Sequence, residues 1–224
     1  MTAKIFIDTN IFKDSATRKL RMVPRLQDLD WGHTTTTVVV HDLVHINPLD
    51  RIPAHSHELK SEAELLPKVA ALASRQGVTF VSHVEVGLET ARLPNMDSQS
   101  GRFYGAPIEY LRTGYSCGRT IYFPGMDSRK LLEQFLRGIR DGRFTQIVKE
   151  LSGGAGTDQA SRNNLLDAFY VWTAETEACT HFLTLDLKLI KKIKNATKLS
   201  VPVRMVKPSE LLTEIGAMRS LTSR

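Results

Sequence analysis

An acidic residue follows a buried-strand pattern near the start of the chain. The apolar residues 5–7 are followed directly by Asp8, Thr9 and Asn10. Such a run is typical of a buried strand, and ligands of open parallel α/β sheets bind at the carboxyl ends of the strands. A carboxylate at that place is costly unless Lys, Arg or a metal ion offsets its charge. Asp8 is therefore a candidate ligand, although the same residue can simply cap the helix that follows.

Two further acids lie in regular patterns nearer the C-terminus. Asp167 stands near the start of a helical pattern in NNLLDAFYVWTAE (163–175). Asp186 closes a short strand-like run in CTHFLTLDLKLIK (179–191), directly after Thr184 and Leu185. A strand exit and a neighbouring helix can carry side chains to the same edge of a sheet.

These stretches resemble the PIN-domain family of metal-dependent nucleases. IDTNIF (7–12) is similar to the first-strand motif of the family. DAFYVWTAE (167–175), followed by FLTLDLKLI (182–190), is similar to its third and fourth acidic motifs. VRMVKPSELL (203–212) is similar to its last strand and final helix. The resemblance frames the whole chain, whereas residues from roughly 93 to 157 do not match.

The resemblance implies the fold. We expect an α/β protein with a PIN-like three-layer fold, in which helices flank a central parallel sheet. A single domain would span residues 1–224, with an inserted segment at about 93–157. The alternation of helical and strand patterns in the matched parts is typical of this class.

The resemblance also implies a metal site. Its first three ligands would be Asp8, Asp167 and Asp186. Converging carboxylates form a hard-oxygen site that suits Mg²⁺ or Mn²⁺ rather than zinc. Such an ion would position a water and lower its pKa for attack on phosphorus. Asn10 and Thr184 would hydrogen-bond the ligand carboxylates or the waters around them.

The fourth ligand has three candidates. In the family an acid on the helix after the second strand completes the site, and Glu89 in HVEVGLETAR (83–92) has the best spacing. Glu85 lies one helical turn earlier, on the same face. Asp42 in VVVHDL (38–43) can also be aligned with an apolar-then-acid motif. We favour Glu89 because helix–strand–helix order around residues 60–92 fits α/β alternation better.

Other segments predict further elements. Residues 13–30 read as a basic amphipathic helix interrupted near Pro24, and the Thr- and Val-rich residues 31–50 predict a strand. Residues 56–76 predict a helix kinked at Pro67, and residues 128–152 predict one or two helices.

Charge and composition favour a polyanionic partner. The formal net charge is +6, and Arg and aromatic residues interleave between residues 93 and 157. That combination suits single-stranded nucleic acid, but the aromatics can instead pack a small subdomain. Lys188 and Lys191 follow Asp186, where they can either meet a scissile phosphate or form a solvated helix face. The interleaved arginines and aromatics between residues 93 and 157 are Arg102, Arg112, Arg119, Arg129, Arg137, Arg140, Arg143, Phe103, Tyr104, Tyr110, Tyr115, Tyr122 and Phe123.

The expected activity is divalent-metal-dependent hydrolysis of phosphodiester bonds, above all by an endoribonuclease. Many relatives are toxins of toxin–antitoxin pairs, so RNA, a homodimer and an inhibitory antitoxin-like protein are the partners the resemblance allows. An inactive nucleic-acid-binding module and a structure-specific DNA nuclease are the alternatives. A cytoplasmic setting is expected, because the two cysteines are far apart and no apolar run is long enough for a membrane helix. We also expect no signal peptide, because the strand pattern begins almost at the first residue.

Overall fold

The computed structural model describes residues 3–14, 20–45, 56–75, 77–91, 103–111, 127–196 and 199–222. Its centre is a five-stranded parallel sheet flanked by helices, and a separate two-stranded antiparallel sheet stands beside it. The predicted α/β class with a central parallel sheet is therefore confirmed. The strands are β1 (Ala3–Ile7), β2 (Leu20–Asp30), β3 (Thr35–His45), β4 (Val78–His83), β5 (Glu109–Leu111), β6 (His181–Leu183) and β7 (Arg204–Val206).

The central sheet has the order β5-β4-β1-β6-β7, and β2 pairs with β3. Among the described residues, no helix is long and apolar enough to cross a membrane. A 3-10 turn over Ala71–Ser74 follows the third helix. The helices are α1 (Thr9–Asp14), α2 (His57–Glu64), α3 (Leu66–Ala70), α4 (Val84–Ala91), α5 (Ser128–Gly138), α6 (Gly142–Leu151), α7 (Arg162–Thr176), α8 (Leu187–Asn195) and α9 (Pro208–Thr222).

The apolar core lies on both faces of the central sheet. Ile5, Phe6 and Ile7 of β1 are all fully buried. Because successive strand residues point to opposite faces, both faces of β1 must be covered, as in sheets enclosed by helices. Phe6 also stacks on Phe182 of β6, with the ring centroids 5.1 Å apart. The sheet is thus the middle of three layers.

The register of β1 and β6 brings their ends together. Ile7 pairs with Leu183, and the Asp8 backbone N–H donates to the Leu183 carbonyl oxygen at 3.1 Å. Within the sheet, β4 lies on one side of β1 and the later strand β6 lies on its other side. A reversal of this kind opens a crevice at the carboxyl ends of the strands, which is where α/β proteins bind ligands.

The described parts of the segment 93–157 belong to the same core. Strand β5 extends the sheet next to β4, while α5 and α6 pack on α7. Phe103 and Phe144 are fully buried, and Phe144 meets Trp172 of α7 with ring centroids 5.8 Å apart. The prediction of one or two helices within residues 128–152 is confirmed, and there are two, α5 and α6.

The helix predicted over residues 13–30 is wrong for residues 20–30. Helix α1 ends at Asp14, and residues 20–30 form β2, which pairs with β3 without a bulge. Pro24 explains the outcome, because proline breaks a helix interior but is tolerated in an edge strand. Gly32 turns the hairpin with φ +87°, at the first central position where a type II′ turn needs a positive φ.

Two other predictions hold. The strand expected within residues 31–50 is β3, while Asn47 and Pro48 lie outside the described residues. The helix expected to kink at Pro67 divides at Leu65 into α2 and α3, with the proline in the first turn of α3, where its missing N–H costs nothing.

Candidate functional site

Four acidic side chains line one cavity at the carboxyl edge of the sheet. The cavity has a volume of about 320 Å³. Its acids are Asp8, Glu89, Asp167 and Asp186, which come from the exit of β1, from α4, from α7 and from the start of α8. The fold therefore brings together four residues that are far apart in sequence.

The Asp8 carboxylate is held by hydrogen bonds on both oxygens. Its Oδ1 accepts from the Thr9 backbone N–H at 2.6 Å, and its Oδ2 accepts from the Thr184 hydroxyl at 2.7 Å. Burial raises the pKa of Asp8 to about 6; these bonds and Lys13 lower it, and the charge of Asp186 raises it. The Asp8 carboxylate is thus held at the start of α1, where it faces the cavity.

Thr184 and Asn10 connect the exits of β1 and β6. The Asn10 amide Nδ2 donates to the Thr184 hydroxyl oxygen at 2.9 Å, and Asn10 Oδ1 accepts from the Leu185 backbone N–H at 3.0 Å. The Asp186 backbone N–H also donates to the Thr184 oxygen, at 3.0 Å. Thr184 therefore touches the Asp8 carboxylate itself, whereas Asn10 acts on it through Thr184.

Asp186 is anchored through one carboxylate oxygen. As the N-cap of α8, its Oδ1 accepts from the backbone N–H groups of Lys188 and Leu189, both at 2.9 Å. Its Oδ2 makes no hydrogen bond to any residue that the structure describes. The helix end thus orients the carboxylate and leaves one oxygen for a ligand.

The pKa of Asp167 is raised by burial and by the acids around it. Burial raises its pKa to about 7, and the negative charges of Asp8, Asp186 and Glu89 raise it further, while Lys192 lowers it. These carboxylates line one cavity, where their negative charges repel one another. A bound cation would relieve that repulsion.

Only one of the three candidates for the fourth acid reaches the cavity. Glu89 lines it, and its Oε2 accepts from the Thr9 hydroxyl at 3.0 Å. Glu85 is fully buried in α4 and does not line it. Asp42 lies on β3, where it forms an ion pair with Arg25 at 2.6 Å. The fold therefore groups Glu89, and neither alternative, with Asp8.

Tyr170 is a cavity residue that the sequence reasoning missed. Its hydroxyl is buried and makes no hydrogen bond to any described residue. Burial raises the pKa of Tyr170 well above its ordinary value, and the charge of Glu89 adds to the rise. The Thr9 hydroxyl is near enough to lower that pKa, but it lies outside hydrogen-bonding geometry. Tyr170 follows Asp167 by three residues on α7, so helical spacing could have indicated it.

The chemistry of the cavity suits a hard divalent cation. Among the described residues that line the cavity, four carboxylates face two bases, Lys13 and Arg162. Carboxylate oxygens are the ligands that Mg²⁺ and Mn²⁺ prefer. Over the described ranges, no group of three or more His, Cys, Asp or Glu side chains is assembled that could hold a metal ion. Carboxylates that repel one another lie apart, so a cation would draw these side chains inward.

A second and larger cavity adjoins the first. Its volume is about 640 Å³, and it shares Asn10 and Asp186 with the acidic cavity. Lys188 and His57 also line it, whereas Lys191 is exposed on α8 and lines neither cavity. Space for a substrate therefore continues past Asp186.

Among the described arginines of the central segment, two form ion pairs, whereas Arg129 and Arg140 are exposed. Arg137 pairs with Glu133 at 2.6 Å, and Arg143 pairs with Glu175 at 2.7 Å. Phe103 is fully buried in the core. Other residues of the predicted nucleic-acid surface lie outside the described part of the chain: Arg102, Arg112, Arg119, Tyr115, Tyr122 and Phe123.

Comparison of the sequence with models of protein families and with curated proteins finds no match to either.

Proposed function

We propose that this protein is a divalent-metal-dependent nuclease of the PIN-domain kind, which hydrolyses phosphodiester bonds, and that RNA is its favoured substrate. The observation that carries the proposal is the cavity at the carboxyl ends of β1 and β6, where Asp8, Glu89, Asp167 and Asp186 meet. The sequence motifs led to the same acids, and the geometry supports their grouping.

These four carboxylates would hold Mg²⁺ or Mn²⁺. When bound, the cation supplies Lewis-acid activation of water and offsets charge at the phosphate. Thr184 and the Thr9 backbone N–H fix the two oxygens of Asp8, so the carboxylate is oriented before any ligand arrives. Asp186 is fixed in the same way by the first turn of α8. Second contacts of this kind support metal ligands in proteins.

Basic residues near the acids would receive the polyanion. Lys13 and Arg162 line the acidic cavity, and Lys188 lines the adjoining one. Together with the net charge of +6, this arrangement favours a nucleic acid over a neutral substrate. Cytoplasmic RNA, an antitoxin-like inhibitor and a homodimer belong to the same proposal, as partners that follow from the family resemblance.

Cleavage of labelled nucleic acids tests the proposal. Single-stranded RNA, structured RNA and single-stranded DNA would each be incubated with Mn²⁺, with Mg²⁺ or with EDTA. We expect cutting of RNA with either metal, none with EDTA, and loss of cutting in Glu89→Gln. Glu85→Gln, one turn away on α4, is the matched control and should keep activity, with thermal unfolding used to verify its fold.

Other results would redirect the proposal. Cutting of DNA alone would indicate a DNA nuclease. Salt-sensitive RNA binding without cutting, unchanged in Glu89→Gln, would indicate a nucleic-acid-binding module that lacks catalysis.

A further inference from the structure

A buried hydroxyl group in the wall of the acidic cavity has no hydrogen-bond partner. Tyr170 lines the cavity and is only 3% exposed, and its hydroxyl makes no hydrogen bond to any residue that the structure describes. Buried polar groups in folded proteins are nearly always hydrogen-bonded, and an unsatisfied one costs stability. A buried, unpartnered donor beside a cavity therefore points to a hydrogen bond that forms when the cavity is occupied.

The Tyr170 hydroxyl belongs to the side of the cavity where Glu89 lies. After burial, the charge of Glu89 is the largest cause of the raised pKa of Tyr170. The ring is held by its neighbours, with its centroid 6.2 Å from that of Phe6 and 5.8 Å from that of Phe169. The hydroxyl is thus kept beside Glu89 by the packing of the ring.

The Thr9 hydroxyl is near both Tyr170 and Glu89. It donates to Glu89 Oε2 at 3.0 Å, and it is near enough to lower the pKa of Tyr170 without hydrogen-bonding geometry. A hydroxyl has one proton to donate and two lone pairs that accept. Because the Thr9 proton goes to Glu89, its oxygen is left as an acceptor, and the Tyr170 hydroxyl is a donor that suits it.

Glu89 is the acid of this group that most needs such support. Both oxygens of Asp8 accept hydrogen bonds, and Asp186 accepts two from the first turn of α8. For Glu89, the Thr9 hydroxyl is the hydrogen-bond donor that the described part of the chain supplies. A hydroxyl rotates freely unless a second hydrogen bond fixes it, so Glu89 is oriented less firmly than Asp8.

We propose that Tyr170 is a positioning residue for Glu89: in the cation-loaded site its hydroxyl donates to the Thr9 oxygen, while Thr9 donates to Glu89. The inference rests on the metal site of the proposed function. The two hydroxyls then hold Glu89 in place much as Thr184 holds Asp8, and hydrogen bonds in series strengthen one another.

The affinity for Mn²⁺, measured as free Mn²⁺ by electron paramagnetic resonance, tests the proposal without any cleavage. Tyr170→Phe removes the hydroxyl and keeps the ring, and it should weaken Mn²⁺ binding about fivefold, as expected for one hydrogen bond. Thr173→Val is the matched control. Thr173 also has a buried hydroxyl on α7 with no described partner, but it does not line the cavity. This control should change the affinity by less than about twofold.

Thr9→Val tests whether Tyr170 acts through Thr9. Valine keeps the shape of the side chain and the backbone N–H that donates to Asp8. In the Thr9→Val background the chain is already broken, so adding Tyr170→Phe should weaken Mn²⁺ binding no further.

Thermal unfolding gives a second readout and verifies that the variants fold. Without metal, Tyr170→Phe and Thr173→Val each lose an unsatisfied hydroxyl, so neither should unfold at a lower temperature than the wild type. Saturating Mn²⁺ should then raise the unfolding temperature less in Tyr170→Phe than in Thr173→Val.

Four results would overturn the inference. If the wild type binds Mn²⁺ and Tyr170→Phe binds it equally well, this inference fails and the proposed nuclease stands. Equal weakening in Thr173→Val would mean that the affinity follows the packing of α7. An undiminished effect of Tyr170→Phe in the Thr9→Val background would exclude the path through Thr9. A wild type that binds no Mn²⁺ would overturn this inference together with the metal site.

Discussion

The carboxyl edge of the central sheet and the β2–β3 hairpin treat their side chains in opposite ways. At the sheet, Ile7 and Leu183 are fully buried, and the acids that follow them gather around a cavity. On the hairpin, Leu26 and Val39 are exposed while Arg25 and Asp42 neutralise each other. The first region holds an excess of negative charge at the edge of a buried sheet. The second leaves apolar side chains exposed on a two-stranded sheet.

The difference follows from the number of layers. Strands of the central sheet are covered on both faces, so their burial supplies free energy that can offset the repulsion between carboxylates. An isolated two-stranded sheet buries too little apolar surface to supply that free energy. The comparison suggests that the sheet, and not the hairpin, has the burial needed to hold several carboxylates close together.

The largest effect should come from an acid of the cavity. Asp186→Asn should lower nuclease activity about a thousandfold, because a metal ligand contributes several kcal/mol at the transition state. Asp127→Asn is the matched control: Asp127 caps α5 with the same i+2 and i+3 pattern with which Asp186 caps α8. Asn caps helices as well as Asp does, so both variants should fold. Equal loss in both would mean that capping, not metal binding, matters.

Removing the same apolar side chain should have unequal effects in the two regions. Leu183→Ala should lower the free energy of unfolding by about 2–5 kcal/mol, because Leu183 is fully buried. Leu26→Ala should lower it by less than about 0.5 kcal/mol in the monomer, because Leu26 is 70% exposed. Urea unfolding at low protein concentration measures both values. A large loss in Leu26→Ala would show that the hairpin is packed within its own chain.

Neutralising Asp167 should stabilise the protein as it weakens the site. Because folding raises the pKa of Asp167 from 3.8 to about 7, the folded state binds the proton more tightly than the unfolded state. The stability that this group contributes is therefore present below its unfolded pKa and is lost as the pH rises through about 7. Asp167→Asn should be more stable than the wild type by about 1–3 kcal/mol at high pH, less than the full shift implies because the side chain is partly exposed.

Thermal unfolding across pH measures this difference. It should shrink steadily as the pH falls toward the unfolded pKa of Asp167. Saturating Mg²⁺ should stabilise the wild type more than Asp167→Asn and so narrow the gap at high pH. A gap that is independent of both pH and Mg²⁺ would contradict the electrostatic origin.

The smallest effect should be on the hairpin surface. Arg25→Ala removes the ion pair with Asp42, whose side chains are 54% and 45% exposed. Exposed pairs of this kind contribute about 0–1 kcal/mol, and salt screens them. We expect a change in unfolding free energy within that range, and none in nuclease activity. Lost activity in Arg25→Ala would show that the hairpin contributes to the activity.

The parts of the fold that sequence predicted best are those with a single strong pattern. The run 5–7 and the run ending at Leu183 could only be buried strands before polar exits, and α7 has regular apolar spacing. The hairpin was missed because residues 20–30 mix charged and apolar residues in a way that also suits a helix. Pro24 and the Gly32 turn were the signals that favoured strands.

Single candidate acids could be recognised from their motifs, but which of them lie together at the cavity was harder to predict. Glu85 and Glu89 lie one turn apart on α4, so spacing alone leaves both open. Which of the two faces the cavity depends on how α4 is rotated about its own axis. That rotation is set by packing against other elements, which no local sequence pattern encodes. Asp42 was a candidate ligand only because residues 38–43 resemble a strand of the central sheet followed by an acid. They belong instead to the β2–β3 hairpin. Tyr170 was hidden in the same way, among apolar neighbours on a buried helix.

Direct binding of Mn²⁺ tests most directly whether the acidic cavity is a metal site. Electron paramagnetic resonance, which measures free Mn²⁺, would compare the wild type with Glu89→Gln, Asp186→Asn and the capping control Asp127→Asn. We expect the wild type and Asp127→Asn to bind alike, and each cavity variant to bind about tenfold or more weakly, as expected when a charged oxygen ligand is lost. A wild type that binds no Mn²⁺, or cavity variants that bind it equally well, would contradict the proposed site.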